Sequence, residues 1–235
     1  MTLVSLEDLT FAYPHRPVFD KACMTVARHR ITGIVGPNGA GKTTFFDILC
    51  ALRTPQTMNL TVHARDRVYL SQTVSAPASL RMRDVYGLMA HVHGRTPLSE
   101  RALVARLERI SPRLGARYAD IWKKRPALCS YGELRSFFTL SMLMLDAELI
   151  LLDEPTAGVD PEFRYYLWQG MKQACLEGAS VVVSSHHIDE IATYCDRFYL
   201  LHDRRFEAFE SGEAFMSRFG ATTLDGAFIQ ALEAT

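Results

Sequence analysis

A glycine-rich segment that ends in a lysine and a threonine is the clearest sign of chemistry in this sequence. Its residues are Gly36, Pro37, Asn38, Gly39, Ala40, Gly41, Lys42 and Thr43. Glycines allow successive backbone N–H groups to converge on a phosphate group, and the lysine neutralises phosphate oxygens. The threonine hydroxyl can bind Mg²⁺. The segment therefore predicts a phosphate-binding loop for a nucleoside triphosphate.

Two acidic residues, Asp153 and Glu154, directly follow the apolar run Leu149–Leu152. Such a run is typical of a central parallel strand, whose carboxyl end borders the ligand crevice of an α/β protein. Asp153 is suited to bind Mg²⁺, and Glu154 to orient or deprotonate an attacking water molecule. Acidic residues after a strand are common, so the prediction for this pair depends on the glycine-rich loop earlier in the chain.

The elements that must position these residues follow an α/β pattern with a largely parallel sheet, because short apolar segments alternate with helix-like stretches. The predicted strands are Val4–Leu9, Ile31–Val35, Val68–Leu70, Leu149–Leu152, Ser180–Val183 and Arg197–Leu201. The strand Ile31–Val35 leads directly into the glycine-rich loop, and a helix through Thr44 to Leu52 follows it. A phosphate-binding loop requires this strand, loop and helix order.

The stretch from about residue 73 to residue 128 differs, because it is rich in Arg, Ala and Leu and contains no convincing strand. Thr96-Pro97 is typical of a helix start. Three apolar side chains then fall on one helical face: Leu103, Leu107 and Ile110. Ordinary crossover helices between neighbouring strands need a much shorter connection. We therefore expect a helical subdomain at about residues 73–148, inserted into a single domain that spans residues 1–235.

The composition excludes several classes of function. The 26 basic residues balance 26 acidic residues, so no overall field draws the protein to nucleic acid or to an anionic membrane. The 5 cysteines are scattered and include no CxxC pair, which predicts reduced thiols and argues against structural zinc. We expect no nucleic-acid partner.

The sequence also predicts a cytoplasmic protein that does not insert directly into a bilayer. Glu7 and Asp8 occur where a signal peptide would be apolar. The longest uncharged apolar-rich run in the middle of the chain is Ser136 to Leu145, about half of the roughly 20 residues that a membrane-spanning helix needs.

Over essentially its whole length, the sequence resembles the nucleotide-binding domain of ABC transporters. Besides the two segments above, matching features occur in family order: Phe11-Ala12-Tyr13, Gln72 after a strand, the signature-like Cys129-Ser130-Tyr131-Gly132-Glu133, the loop Thr156-Ala157-Gly158-Val159-Asp160, and Ser184-Ser185-His186. The resemblance implies a P-loop NTPase core with an N-terminal antiparallel β portion. It also implies that the chain binds ATP with Mg²⁺ and hydrolyses it.

The resemblance implies roles for individual residues. Those implied to bind ATP are Tyr13, which would stack on adenine, and Gly36, Pro37, Asn38, Gly39, Ala40, Gly41, Lys42, Thr43 and Thr44. Those implied to be catalytic are Glu154, His186 and Gln72. Those implied to hold the metal are Thr43, Gln72 and Asp153. A core tyrosine is the alternative for Tyr13, and a loop-capping amide is the alternative for Gln72.

The signature-like segment has two compatible interpretations. Ser130 and Glu133 match a capping box in front of the apolar helix Leu134 to Leu145. By resemblance, Ser130, Gly132 and Glu133 contact ATP held by an opposing subunit, because a capped helix N-terminus can bind an anion. Asp160 would then belong to a loop at the interface of a head-to-tail dimer, expected to be a homodimer. Tyr131 departs from the family, which usually has glycine there.

The family implies that the chain is the motor of a transporter, attached at the inner face of the cell membrane through a separate membrane-spanning subunit. The alternative is a soluble ABC ATPase, such as one for iron-sulfur cluster assembly, in which a signature ending in glutamate also occurs. Thr156-Ala157-Gly158 favours the transporter. A P-loop kinase or a plain nucleotide-binding module would leave the signature and His186 without a role. The C-terminal Thr223–Phe228 resembles a segment of exporters, which favours export; the transported substrate is not specified by the sequence.

Overall fold

The computed structural model describes residues 1–234, which form nine β-strands and nine α-helices. The strands are β1 Thr2–Tyr13, β2 Arg16–Ala27, β3 Ile31–Val35, β4 Thr57–Val62, β5 Arg67–Leu70, β6 Leu149–Asp153, β7 Ser180–Ser185, β8 Arg197–His202 and β9 Arg205–Phe209. The helices are α1 Lys42–Leu49, α2 Met82–Val92, α3 Glu100–Glu108, α4 Pro112–Lys123, α5 Tyr131–Leu143, α6 Pro161–Leu176, α7 Ile188–Tyr194, α8 Gly212–Phe219 and α9 Leu224–Glu233.

The larger sheet has the strand order β5-β6-β7-β3-β8-β9 and is parallel except for the edge strand β9. Every residue of β3, β6 and β7 is buried, because both faces of this sheet are covered. The α/β fold with a mostly parallel sheet is therefore confirmed. The loops after β3, β5, β6 and β7 leave the same edge of the sheet, so the residues that follow these strands can meet there.

The smaller sheet is antiparallel, with the order β2-β1-β4, and confirms the N-terminal antiparallel β portion. The predicted strand Val4–Leu9 was too short, since β1 continues to Tyr13, and strands β2, β4 and β9 were missed. These strands are half-exposed, and none of the residues of β4 is fully buried. Polar residues on the open face hide the apolar run by which a buried strand is recognised in a sequence.

The chain between β5 and β6 forms the helices α2, α3, α4 and α5, as expected for an inserted helical subdomain. Two boundaries differ from the predictions. Helix α3 begins after Ser99, whose hydroxyl accepts a hydrogen bond from Ala102 N, and not at Thr96-Pro97. Helix α5 covers Tyr131–Leu143, so it begins directly after Ser130 and ends before Leu145. No helix in residues 1–234 is both long enough and apolar enough to cross a membrane.

Alternate residues of the buried strands face two separate hydrophobic cores. Ile150 and Leu152 of β6 pack in a core with residues of the helical subdomain and α6, whereas Leu151 packs in a core with residues of β1, β2 and α1. Trp168 is fully buried in the first core and Phe45 in the second. The strand that carries Asp153 at its carboxyl end is thus held from both sides.

Candidate nucleotide-binding site

The glycine-rich loop joins the buried strand β3 to helix α1, which begins at Lys42 and ends at Leu49, short of the predicted Leu52. Gly41 precedes the helix with φ +115°, a conformation that other residues rarely adopt. A Cβ atom on residue 41 would lie 2.5 Å from Cγ1 of Val18 in β2, so packing against this strand also requires glycine at position 41. The start of α1 is therefore fixed in place against the antiparallel sheet.

Lys42 is buried, and its ammonium group donates hydrogen bonds to the carbonyl oxygens of Gly36 at 2.6 Å and Pro37 at 3.3 Å. Burial lowers the pKa of Lys42, and the carboxylates of Glu154 and Asp153 oppose that effect. The ammonium group is thus held by neutral carbonyls, beside a helix N-terminus that also favours anions. An incoming phosphate can compete for this cation.

Asp153 is buried and receives hydrogen bonds from hydroxyl groups on either side. Thr43 donates to its Oδ2 at 2.5 Å, and Ser184 donates to its Oδ1. Mg²⁺ prefers oxygen ligands, binds one or two carboxylates and takes its other ligands from water and substrate phosphates. The adjacent oxygens of Thr43 and Asp153 fit that preference. Among the described residues, no group of three or more His, Cys, Asp or Glu side chains is arranged to hold a metal ion. A Mg²⁺ ion bound to a nucleotide does not need such a group.

Glu154 is also buried, and its Oε2 lies 2.9 Å from Nδ1 of His186, which is half-exposed. Its backbone has φ +54°, in the left-handed region. Such a conformation costs about 1–3 kcal/mol in a non-glycine residue and persists only where neighbours hold it. The Glu154 N–H donates to the carbonyl and to the hydroxyl of Ser184, at 3.1 and 3.2 Å. A carboxylate held in this way can accept a proton from water.

An open cavity of about 230 Å³ brings many of the predicted residues together. Those that line it are Tyr13, Asn38, Gly39, Gly41, Lys42, Thr43, Thr44, Gln72, Asp153 and Glu154. The phosphate-binding loop, the acid pair, the aromatic residue and the glutamine thus surround one space.

Tyr13 lies at the cavity wall, where its hydroxyl is 3.2 Å from Thr44 Oγ1. The guanidinium of Arg53 lies over its ring, 5.0 Å from the centroid, and Phe11 contacts it edge to face. The ring is half-buried and is not part of the deep core.

Sequence reasoning missed Arg16 and Val18, which also line the cavity. Arg16 Nη2 donates to the carbonyl oxygen of Gly39 at 2.6 Å. The signal that could have identified them was the strand β2 itself: once β2 pairs with β1, Arg16 lies opposite Tyr13.

The signature-like segment does not line this cavity. The predicted capping box is present, since Ser130 Oγ accepts from Glu133 N at 3.2 Å and Glu133 Oε2 accepts from Ser130 N at 2.9 Å. The other carboxylate oxygen of Glu133 lies 2.9 Å from Lys124 Nζ, so this side chain is already engaged within the subunit. Ser130 is exposed at the start of α5.

Gly132 packs closely against the loop that contains Gly158. A Cβ atom on Gly132 would lie 2.6 Å from the Gly158 carbonyl oxygen. The Tyr131 ring also lies against Gly158: a Cβ atom added to Gly158 would be 2.7 Å from Tyr131 Cδ1. Packing within the subunit therefore favours glycine at position 132, independently of any contact with phosphate.

Asp160 caps helix α6, where its Oδ1 accepts from Phe163 N at 3.0 Å. Its Oδ2 lies 2.9 Å from Nη2 of Arg117 on α4. The loop predicted at a dimer interface is thus tied to the helical subdomain of the same chain.

The chain is similar to several known proteins. The family model described as ABC transporter matches residues 19–157. ATP-binding cassette sub-family A member 7 of Mus musculus is 31% identical over 231 residues, which are 92% of this chain but 10% of that protein. Nod factor export ATP-binding protein I of Rhizobium meliloti is 26% identical over 216 residues, 86% of this chain and 62% of that protein. A solved ATP-binding subunit of an ABC transporter superposes with a TM-score of 0.80 at 25% identity, covering 97% of this chain and 99% of that one.

Proposed function

The chain belongs to the ABC transporter ATP-binding family, and from this premise we propose that it is the ATP-hydrolysing subunit of a transporter whose membrane-spanning partner is a separate polypeptide. The family's ATP-binding domains are ATPases. The observation that carries the proposal is the convergence of Lys42, Asp153 and Glu154 on one cavity. We treat residues 1–235 as one such domain, acting at the inner face of the cell membrane through its partner.

In the proposed reaction, the loop around Lys42 binds the β- and γ-phosphates of ATP, and the ammonium group leaves its carbonyl partners for phosphate oxygens. Thr43 and Asp153, with Gln72 nearby, would hold Mg²⁺, which would supply positive charge for the phosphate oxygens. Glu154 accepts a proton from the water that attacks the γ-phosphorus, and ADP leaves. His186 holds the Glu154 carboxylate through the 2.9 Å contact and can also contact the γ-phosphate.

The proposal includes a second ATP-binding subunit. The N-terminus of α5 is exposed at Ser130, and the signature-like segment lies outside the cavity of its own chain. Both observations support a role for Ser130 and the Gly132 backbone at the ATP of an opposing subunit. The capped N-terminus of α5 offers N–H groups and partial positive charge for that contact. Asp160 and its loop would then approach the same interface.

A transporter is favoured over an iron-sulfur cluster assembly ATPase, because a solved chain of matching length is an ATP-binding subunit of an ABC transporter. Both named relatives are longer than this chain, so the activities of those whole proteins can only be proposed for this chain. The word "export" in the name of the Rhizobium meliloti relative supports the direction suggested by the C-terminal segment Thr223–Phe228.

Dimerisation of the Glu154→Gln variant tests the proposal. The amide keeps the shape of the side chain but cannot accept the water's proton, so turnover should fall to a small residual rate while ATP stays bound. Size-exclusion chromatography with light scattering should then show a dimer with Mg-ATP and a monomer without it. Glu213→Gln, at an exposed position on α8, is the matched control and should turn over like the parent. A Glu154→Gln variant that binds ATP normally but stays monomeric would contradict the composite site.

A further inference from the structure

Arg135 is a fully buried arginine on α5, shortly after the signature-like segment. Its Nε donates to the Glu154 carbonyl oxygen at 2.9 Å. Its Nη1 donates to the carbonyl oxygens of Ser71 at 2.7 Å and Gln72 at 3.2 Å. One guanidinium group therefore joins helix α5 to the ends of two neighbouring strands, β5 and β6.

The environment of this cation is unusual. Arg135 forms no ion pair with any carboxylate in residues 1–234, and its Nη2 is buried without a hydrogen-bond partner. Burial lowers the pKa of Arg135, while Tyr131, Asp153 and Glu154 act against that effect. Burying a charge with only carbonyl partners costs free energy that an apolar or neutral side chain would avoid. Stability alone therefore does not account for an arginine at this position.

The groups that Arg135 holds are those that the proposed reaction needs. The Glu154 backbone is in a left-handed conformation that requires support from its neighbours. Gln72 is exposed at the cavity, and the carbonyl contact fixes its main chain. A planar guanidinium can bridge carbonyl groups in a fixed geometry, whereas an ammonium group is a single flexible donor centre.

We propose that Arg135 is a positioning residue for ATP hydrolysis. It holds the main chain at Glu154 and Gln72 in a fixed position relative to helix α5. Movement of α5 with the helical subdomain then changes the placement of the Glu154 carboxylate. The inference rests on the role of Glu154 in the proposed function. Arg135 itself is not expected to contact ATP, because it does not line the cavity.

Two substitutions test this role. Arg135→Lys keeps the charge but loses the bridging geometry, and Arg135→Gln keeps an amide donor but loses the charge. Misplacement of a reacting group by about 1 Å can cost a factor of about 100 in rate, so kcat should fall about 10- to 100-fold in both variants. KM and the affinity for a non-hydrolysable ATP analogue should change little, because the phosphate-binding loop is untouched. Arg135→Lys should retain more activity than Arg135→Gln.

Arg106→Lys is the matched control. Arg106 is a mostly buried arginine of the same subdomain, but it pairs with Asp146 and Glu177, which precede β6 and β7 at the opposite edge of the sheet. Its substitution should lower the thermal midpoint while kcat stays near that of the parent. If the Arg135 variants lose kcat while their Tm falls no more than that of Arg106→Lys, the loss of kcat cannot be attributed to general destabilisation.

A double variant shows whether Arg135 acts through Glu154. If it does, adding Arg135→Lys to Glu154→Gln should not lower the residual rate further, since both changes affect one step. Normal kcat in both single Arg135 variants would overturn the inference, and so would loss of ATP-analogue binding or of folding in both, because Arg135 would then be a structural residue. Normal turnover in Glu154→Gln would instead refute the proposed role of Glu154. The two failures are thus distinguishable.

Discussion

Replacing Gly132 by alanine tests how tightly the signature-like segment packs against its neighbouring loop. The added Cβ atom would lie 2.6 Å from the Gly158 carbonyl oxygen, whereas ordinary contacts begin at 3.4 Å. The two backbones must separate by the difference, 3.4 − 2.6 = 0.8 Å. Overpacking of this kind costs about 1–3 kcal/mol. In a chain of this size, the midpoint of thermal unfolding should fall by about 2–12 °C.

Gly87→Ala on α2 is the control, because no atom lies within 4 Å of the Cβ position at Gly87. Alanine in a helix is favoured over glycine by about 0.5–1 kcal/mol, so this variant should be slightly more stable than the parent. Differential scanning calorimetry compares the two variants. If Gly132→Ala is as stable as Gly87→Ala, the close packing on Gly158 is refuted. A Gly132→Asp variant adds negative charge to this clash, so its failure to turn over would not by itself demonstrate a phosphate contact.

Three further predictions concern single sites and location. His186→Ala should lower kcat more than it lowers ATP affinity, since the 2.9 Å contact to Glu154 is lost while Lys42 still binds the phosphates. Unchanged kcat in a phosphate-release assay would contradict this. Exposed Cys23 should react with limiting N-ethylmaleimide before Cys50, because burial raises the pKa of the Cys50 thiol to about 11. Modification of Cys50 first, seen by peptide mass spectrometry, would contradict this prediction. The protein should sediment with membranes only when its partner is co-expressed, and strong binding to protein-free liposomes would argue against such a partner.

The buried strands and the residues at their ends could be predicted from the sequence. Ile31–Val35 and Leu149–Leu152 are continuous apolar runs, and the structure places both in the middle of the larger sheet. The glycine-rich loop and the acid pair each follow such a run, so their meeting at one cavity follows from parallel pairing. The half-exposed strands β2 and β4 carry no comparable signal.

Side chains that act through distant contacts could not be predicted. Arg16 reaches the cavity only because β2 pairs with β1, and Arg135 reaches Glu154 only because α5 packs beneath β5 and β6. A long polar side chain in a helix is usually exposed, so its burial depends on tertiary packing and leaves no local pattern. The clash that requires glycine at position 132 likewise depends on a loop distant in sequence.

Release of phosphate from Mg-ATP by the purified chain tests the central claim most directly. The parent should release phosphate at a steady rate, and Lys42→Ala should lower both ATP affinity and that rate, because the cation for the β- and γ-phosphates is lost. Lys123→Ala, at an exposed position on α4, should behave like the parent. If Lys42→Ala binds and hydrolyses ATP as the parent does, the cavity around the glycine-rich loop is not the site of hydrolysis.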